Sequence, residues 1–338
     1  MLTTKPQHDD QLIRQVINQS IVSQAILVAH DIGLFEALGH QEKSLVEICQ
    51  TLSLPKKSAF ALLTLGIQCK LASFHNDLYK LTDYAKEYLL KESNLYFGDV
   101  LDLIIQQNAV RSYDSIKTSV MNGQPTIYQG KELFETHETD LQRLEAFTKA
   151  MHGKSIGAAM SWPNHTDLAE SKMLLDIGGG AGTHAIYACK KWPSLQSIIF
   201  ERPIVCEIAE KYIKKYEMSK QIVAKSGDMW HDPFPQADVH FYSDIFHDWP
   251  EEKVHFLTEK SFQSLPRGGR IIIHEMLFDD QKIGPFNVAA YNLNMLLWTT
   301  GQQFSDQEIK DILRKTGFIG VKTHKTFGDW HIVVGEKP

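Results

Sequence analysis

Leu174-Leu175-Asp176-Ile177-Gly178-Gly179-Gly180-Ala181-Gly182-Thr183 runs from an apolar strand straight into four glycines and then into a helix. Glycine is needed where a tight turn takes positive φ, and where a ligand approaches the backbone too closely for a Cβ. The spacing Gly178-x-Gly180-x-Gly182 departs from the dinucleotide pattern G-x-G-x-x-G, and the Lys-Ser/Thr ending of a P-loop is absent. The turn therefore favours a nucleoside ligand without pyrophosphate over the plainer reading of a merely tight strand-to-helix corner.

Strand and helix patterns alternate on either side of this stretch. They run Met173 to Ile177, Thr183 to Lys191, Ser197 to Phe200, Ile204 to Tyr216, Gln221 to Lys225, Val239 to Ser243 and Glu251 to Leu265. Arg270 to His274, Phe286 to Trp298, Asp306 to Thr316, Ile319 to His324 and Trp330 to Val334 complete the series. Repeated strand and crossover-helix units imply a mostly parallel sheet covered on both faces. The last two runs follow one another without a helix, so at least one antiparallel strand is expected. Glu201 closes the second strand, 19 residues after Gly182, where a carboxylate is suited to accept both hydroxyls of a ribose. Gly227-Asp228-Met229 closes the third, where the Asp228 carboxylate and the Met229 side chain are placed to border an adenine.

Upstream, Ile13, Val16, Ile17, Ile21, Ala25 and Val28 recur at helical spacing within 11–38, with Gly33 relieving the backbone near the helix end. Ser44 with Glu47 forms a capping box, and Pro55 opens a helix through Leu65. Two short alternating stretches follow, Lys70 to Phe74 and Leu78 to Leu81. Helix, short helix, helix and hairpin in that order spell a winged-helix module, which makes a ligand-responsive DNA-binding regulator one alternative. Lys56 to Leu65 argues against it, since its run of Ala59, Phe60, Ala61, Leu62 and Leu63 is a packing surface rather than a base-reading one. Residues from Asn94 to about Met160 read as mostly helical, and a polar break at Pro163 to Asp167 precedes the sheet pattern.

Composition narrows the function further. The 338 residues imply two domains, and 35 basic against 41 acidic side chains leave a net charge of −6. Such a chain lacks the cationic excess that phosphate neutralisation requires, so neither nucleic acid nor an anionic membrane is an expected partner. No run approaches 18 consecutive apolar residues and the first ten residues are polar, so neither a transmembrane span nor a signal peptide is expected. Cys49, Cys69, Cys189 and Cys206 form no CxxC pair, which fits a reducing, cytoplasmic setting without a zinc or disulfide framework.

With these features in order, the sequence resembles the class I S-adenosylmethionine-dependent small-molecule O-methyltransferases. The similarity is to the two-domain group that includes caffeate, flavonoid and hydroxyindole methyltransferases and bacterial polyketide or phenazine tailoring enzymes. The matching motifs are 175–182, Phe200-Glu201-Arg202-Pro203, Gly227-Asp228-Met229, Ile245-Phe246-His247-Asp248-Trp249, Pro266-Arg267-Gly268-Gly269-Arg270 with Glu275, and Gly317-Phe318. The resemblance implies an α/β fold: a seven-stranded, mostly parallel, Rossmann-like sheet behind an N-terminal, mainly helical winged-helix domain. It divides the chain into a dimerisation domain (1–95), a helical connector contributing to the substrate pocket (96–167) and a cofactor-binding catalytic domain (168–338). It also implies a cytoplasmic homodimer acting on a small aromatic hydroxyl of secondary metabolism, with S-adenosylhomocysteine as the cofactor product and no metal.

The resemblance places the general base on His247, and the chemistry agrees, because histidine titrates near neutral pH and this one follows the fourth strand at the ligand edge. Glu275 matches the acid that orients the base. Asp176, Gly178, Gly180, Gly182, Glu201, Arg202, Gly227, Asp228, Met229, Ser243, Asp248 and Trp249 make up the expected cofactor site. Phe147, Met151, His152, Tyr291, Asn292, Met295 and Trp298 make up the expected substrate wall, since Met and aromatic side chains give adaptable contacts to a planar ring. Two positions depart from the family pattern: Asn292 replaces an Asp, and Gln303 stands where a second base-orienting Glu is usual. An amide accepts a hydrogen bond but cannot stabilise an imidazolium by charge. That leaves N- or C-methylation, or a non-methylating reaction that retains the cofactor, as alternatives within the family.

Overall fold

The structure, a computed structural model, describes residues 7–125 and 141–338. It divides into two compact units, up to Gln106 and from Gln107 onward. The expected connector 96–167 is therefore shared between them, and 126–140 of it, like 1–6 of the expected first domain, lies outside the described residues.

The first unit comprises α1 (Gln11–Asp31), α2 (Leu34–Leu38), β1 (Lys43–Ser44), α3 (Leu45–Leu52), α4 (Lys56–Gln68), β2 (Ala72–His75), β3 (Leu78–Leu81), α5 (Asp83–Leu89) and α6 (Gly98–Gln106). The strands form a small antiparallel sheet in the order β1-β3-β2. The capping box of Ser44 and Glu47 is present at the start of α3. The helical pattern across 11–38 splits in two because Gly33 takes φ 76°, a left-handed turn that ends α1 and starts α2. Leu34, Phe35, Leu38, Ile48, Leu63 and Leu81 fill the core of this unit. Most of α1 lies outside that core, with Leu12, Ile13, Val16, Ile17, Ile21 and Val28 exposed. On length and composition alone α1 is long and apolar enough to cross a membrane, because polar residues such as Gln15, Asn18 and Gln19 are outweighed over its 21 residues.

The second unit contains α7 (Tyr113–Asn122), α8 (Leu141–Ser161), β4 (Met173–Ile177), α9 (Thr183–Lys191), β5 (Gln196–Glu201), α10 (Pro203–Lys215) and β6 (Ile222–Ser226). It continues through β7 (Val239–Ser243), α11 (Glu251–Ser264), β8 (Arg270–Met276), α12 (Phe286–Trp298), α13 (Asp306–Thr316), β9 (Ile319–Lys325) and β10 (Trp330–Glu336). The seven strands lie in the order β6-β5-β4-β7-β8-β10-β9, parallel except that β10 runs antiparallel to both neighbours. The period-two alternation of strand side chains builds one apolar layer on each face. Leu175, Ile177, Tyr242, Ile271, Ile273 and Val333 meet α11 and α13 on one side. Leu174, Phe241, Ile272 and Ile332 meet α9, α10 and Trp162 on the other. Both faces of the central strands are thus covered, which is why they read as near-continuous apolar runs.

Helix α13 is held at its start by a capping box, Ser305 Oγ accepting from the Glu308 amide and Glu308 Oε2 accepting from the Ser305 amide at 2.7 Å. Ser305→Ala is expected to cost about 1 kcal/mol. A lowered urea midpoint of unfolding measures that loss, and an unchanged midpoint would show the cap to be idle.

Candidate active site

The chain moves outward from β4 to β5 and β6, then returns to place β7 on the other side of β4. The carboxyl ends of β4 and β7 thus flank the point where strand order reverses, and open α/β sheets bind ligands there. The glycine turn follows β4 and the His247 loop follows β7, so topology alone brings them together.

Gly178, Gly180 and Gly182 all take positive φ (67°, 55° and 74°). A Cβ on Gly178 would meet Ile245 and one on Gly182 would meet Ile199, whereas one on Gly180 would meet nothing within 4 Å. Gly178 and Gly182 are therefore required by packing, and Gly180 leaves an open backbone cradle. Glu201 ends β5 beside it, with Oε1 accepting from the Gly180 amide at 3.2 Å and Oε2 from the Arg202 amide at 2.8 Å. Burial pushes the Glu201 carboxyl up, against the pull of those two amides. Asp176 is buried at the root of the turn, and burial lifts its pKa to about 7. The Gly227 amide donates to the Glu201 carbonyl, which lays the next loop alongside. There Asp228 accepts from the Trp230 amide and pairs with His231, while Met229 packs on the core and its carbonyl accepts from Lys260. An open backbone cradle beside a terminal carboxylate fits a nucleoside carrying a ribose diol.

The second half of the site is built on one carboxylate. Glu275, which lies inside β8 rather than after it, accepts from the Ile245 amide at 3.1 Å and the Phe246 amide at 2.9 Å. Its other oxygen stands 2.7 Å from His247 Nδ1. A carboxylate only accepts, so Nδ1 carries a proton, and in the neutral ring Nε2 is the nitrogen with a free lone pair. Asp244 Oδ1 lies 3.6 Å from Nδ1, and Asp248 Oδ1 lies 3.5 Å from Nε2. Burial disfavours the charged ring, but Glu275, then Asp248 and Asp244, outweigh it and lift His247 to about 9. Burial likewise raises Asp248 to about 7, against the attraction of His247. Behind the loop, a Cβ on Gly301 would run into the carbonyl of His247 and the backbone of Asp248. Asp244, His247 and Glu275 bring their ligand-type atoms within 4.8 Å of one another, and here hydrogen bonds engage Glu275 fully.

Sequence reasoning missed Lys154. Its ammonium, on α8, donates to Asp244 Oδ2 at 2.8 Å and to the Tyr291 hydroxyl at 2.7 Å, and lies 4.3 Å from the Tyr291 ring centroid. Burial works against its charge, but Asp244 and Tyr291 more than restore it. A signal was available: Phe147, Met151 and Lys154 share one helix face at i, i+4 and i+7. Tyr291 in turn meets the His247 ring edge-on at 5.4 Å, joining α12 to the histidine loop.

The remaining expected residues differ in their surroundings. Both ring nitrogens of His152 are engaged, by Thr183 Oγ1 at 2.7 Å and the Tyr216 hydroxyl at 3.0 Å, so it is a satisfied histidine between helices. Trp249 packs edge-on against Trp230 within the core. Met295 is buried, its carbonyl accepting from Thr299, while Phe147, Met151 and Trp298 are half-buried on their helices. The Asn292 side chain accepts from the Gln303 amide at 2.9 Å, and neither side-chain polar atom of buried Gln303 has a hydrogen-bond partner among the described residues. Ser243 does not stand alone at the end of β7. Its hydroxyl joins His184 Nε2 at 3.0 Å to His274 Nδ1 at 2.8 Å, and His274 stacks on Trp330 at 4.7 Å. Burial lowers both histidines, His184 to about 4, so the group is neutral at physiological pH.

Comparison with known proteins gives this geometry a context. A family model described as an O-methyltransferase domain matches residues 113–319. The 3-hydroxy-5-methyl-1-naphthoate 3-O-methyltransferase of Streptomyces sahachiroi is 30% identical over 89% of this chain and 87% of its own length. Acetylserotonin O-methyltransferase of Bos taurus is 25% identical over 96% and 97%. The solved structure of human N-acetylserotonin methyltransferase in complex with SAM superposes with a TM-score of 0.86 at 23% identity, over 100% of this chain and 99% of that one.

A folded-state pKa above the unfolded value near 6.5 means that His247 stabilises the protein fully below that pH, and that this contribution is lost as pH rises through about 9. Titrating the His247 ring by NMR is expected to give a midpoint near 9 that falls toward 6.5 in Glu275→Gln. An unshifted midpoint in the variant would remove Glu275 from this role.

Proposed function

This chain belongs to the O-methyltransferase family, and from that membership we propose that it methylates a hydroxyl of a small aromatic substrate with S-adenosylmethionine, His247 acting as general base. The observation that carries the reading is the 2.7 Å contact between His247 Nδ1 and Glu275, which turns Nε2 into the proton acceptor beside the glycine cradle. The cofactor supplies a methyl group on a sulfonium, an electrophile that needs no further activation. The backbone around Gly180, the Glu201 carboxylate and the loop of Gly227, Asp228 and Met229 would hold its nucleoside, the diol taking over the hydrogen bond that Glu201 now accepts from Gly180. The substrate hydroxyl gives its proton to His247 Nε2 as its oxygen forms the new bond to carbon and the carbon–sulfur bond breaks. Positioning supplies much of the rate, and base catalysis adds roughly 10²–10⁴-fold.

Tyr291 and Met295 on α12, with Phe147 and Met151 on α8, suit the flat apolar face of an aromatic ring. The naphthoate and acetylserotonin relatives act, by their names, on compounds of that kind. The buried, unpartnered amide of Gln303 is available to a polar ring substituent. The exposed apolar row of Ile13, Ile17, Ile21 and Val28 on α1 supports a homodimer formed through the first unit. Four cysteines, all free thiols, suit a cytoplasmic enzyme.

Calorimetry is expected to detect S-adenosylmethionine binding that Gly180→Val abolishes and His247→Ala retains. With a hydroxylated aromatic acceptor, the product should gain one CH₂ on oxygen, and the wild-type rate should climb with pH toward about 9 as His247 loses its proton. His247→Ala should lower kcat by roughly 10²-fold or more and flatten that climb. A variant as fast as wild type would exclude His247 as the base.

Sedimentation velocity is expected to show a dimer that Ile17→Glu with Ile21→Glu converts to a 38.5 kDa monomer. A wild-type monomer would dismiss the interface.

A further inference from the structure

We infer that Asp244, clamped by Lys154, is a second carboxylate of the proton-accepting site: a positioning residue that sets the electrostatic environment of His247. The inference rests on the reading of His247 as the base and assigns two residues that this reading does not use.

Asp244 is the first residue beyond β7 and takes φ 55°, a left-handed conformation uncommon for a side chain with a Cβ. Its two oxygens face different partners. Oδ2 receives the Lys154 ammonium at 2.8 Å. Oδ1 is enclosed, lacks a hydrogen-bond partner among the described residues, and lies 3.6 Å from His247 Nδ1. An enclosed carboxylate oxygen without a hydrogen bond is costly unless a charge stands nearby. Lys154 supplies such a charge on the side of Oδ2, and the proton arriving on His247 supplies a second one on the side of Oδ1, so the arrangement favours the imidazolium more than the neutral ring.

Lys154 opposes this effect. Its position is fixed by Asp244, by the Tyr291 hydroxyl at 2.7 Å, and by the rings of Tyr291 and Trp330 at 4.3 and 5.3 Å. It partly cancels the field of Asp244 at the base, which keeps His247 from holding its proton too tightly to work. The charged and titratable groups around the ring are Glu275 on β8, Asp244 and Asp248 on its own loop, Lys154 on α8 and Tyr291 on α12. His184 on α9, neutral, faces the Asp244–Lys154 pair. Gln303 offers an amide and no charge, so within this set Asp244 is the carboxylate that shares Nδ1 with Glu275.

The two residues therefore pull the base in opposite directions, and the pH dependence of kcat reads that directly. Asp244→Asn is expected to move the rising limb of the profile down by about one pH unit, and Lys154→Met to move it up by a similar amount. Lys154→Arg, which keeps the charge, should return it to the wild-type position. KM for S-adenosylmethionine should stay within about twofold in all three, as none touches the glycine turn. Limbs that stay in place, or move the same way in Asp244→Asn and Lys154→Met, would overturn the inference and leave the pair a structural clamp. Should Lys154→Met fail to fold, Asp244→Asn against Lys154→Arg still decides, since only the former is expected to shift. The same shifts should appear in the NMR titration of His247 in the resting protein. If His247→Ala keeps the wild-type limb, it is the assignment of the base that fails, a result distinct from unmoved limbs in the Asp244 and Lys154 variants.

Discussion

Glu275 makes three hydrogen bonds with one buried carboxylate, and the site depends on all of them. A carboxylate taken out of water costs several kcal/mol unless its lone pairs are met. Here the amides of Ile245 and Phe246 meet one oxygen and His247 meets the other. The same contacts that make the charge tolerable inside β8 fix the loop after β7 and the tautomer of its histidine. Loop shape, proton position and strand registry are therefore one solution to one solvation problem. Gly301 closes the loop from behind, because only a residue without a side chain lets the His247 backbone approach so closely.

Around that carboxylate two loops of different make-up meet. The turn after β4 offers backbone: Gly180 leaves open space, and its neighbours Gly178 and Gly182 are glycines for packing reasons. The loop after β7 offers side chains in a crowd of charge: its own Asp244 and Asp248 and Glu275 of β8 surround one imidazole, and Lys154 of α8 pairs with Asp244. Two loops of such different character lie side by side because the strand order reverses between β4 and β7.

Much of this was legible in the sequence, and the reasons are local. Met173–Ile177, Val239–Ser243 and Phe286–Trp298 agree with the expected elements residue for residue, since each is an apolar run bounded by a turn or a proline. The Ser44 capping box and the antiparallel β10 follow from short-range rules in the same way. His247 and Glu275 were recognisable because the motifs that carry the family resemblance place them, His247 in the loop after β7 and Glu275 near the carboxyl end of β8. Lys154 was not, because a lysine within a helix reads as a solvated side chain until its partners, 90 and 137 residues away, are known. His152 reads as a pocket residue for the converse reason: Thr183 at the start of α9 and Tyr216 just past the end of α10, which occupy both its nitrogens, come later in the chain. Sequence spacing reports which face a residue occupies, and only the tertiary packing reports what that face meets.

The triad of Ser243, His184 and His274 beneath the charged loop has a further consequence. None of the three carries a charge at neutral pH, yet each is a sizeable dipole, and the hydroxyl between the rings can rotate. A layer of this kind responds to a field by turning rather than by ionising. Beside the Lys154–Asp244 pair, such dipoles can orient toward the charges in part as water would. The interior next to the charged cluster is thus polarisable without being ionised, so a change of charge on His247 would be met by turning dipoles rather than by a shift of the fold.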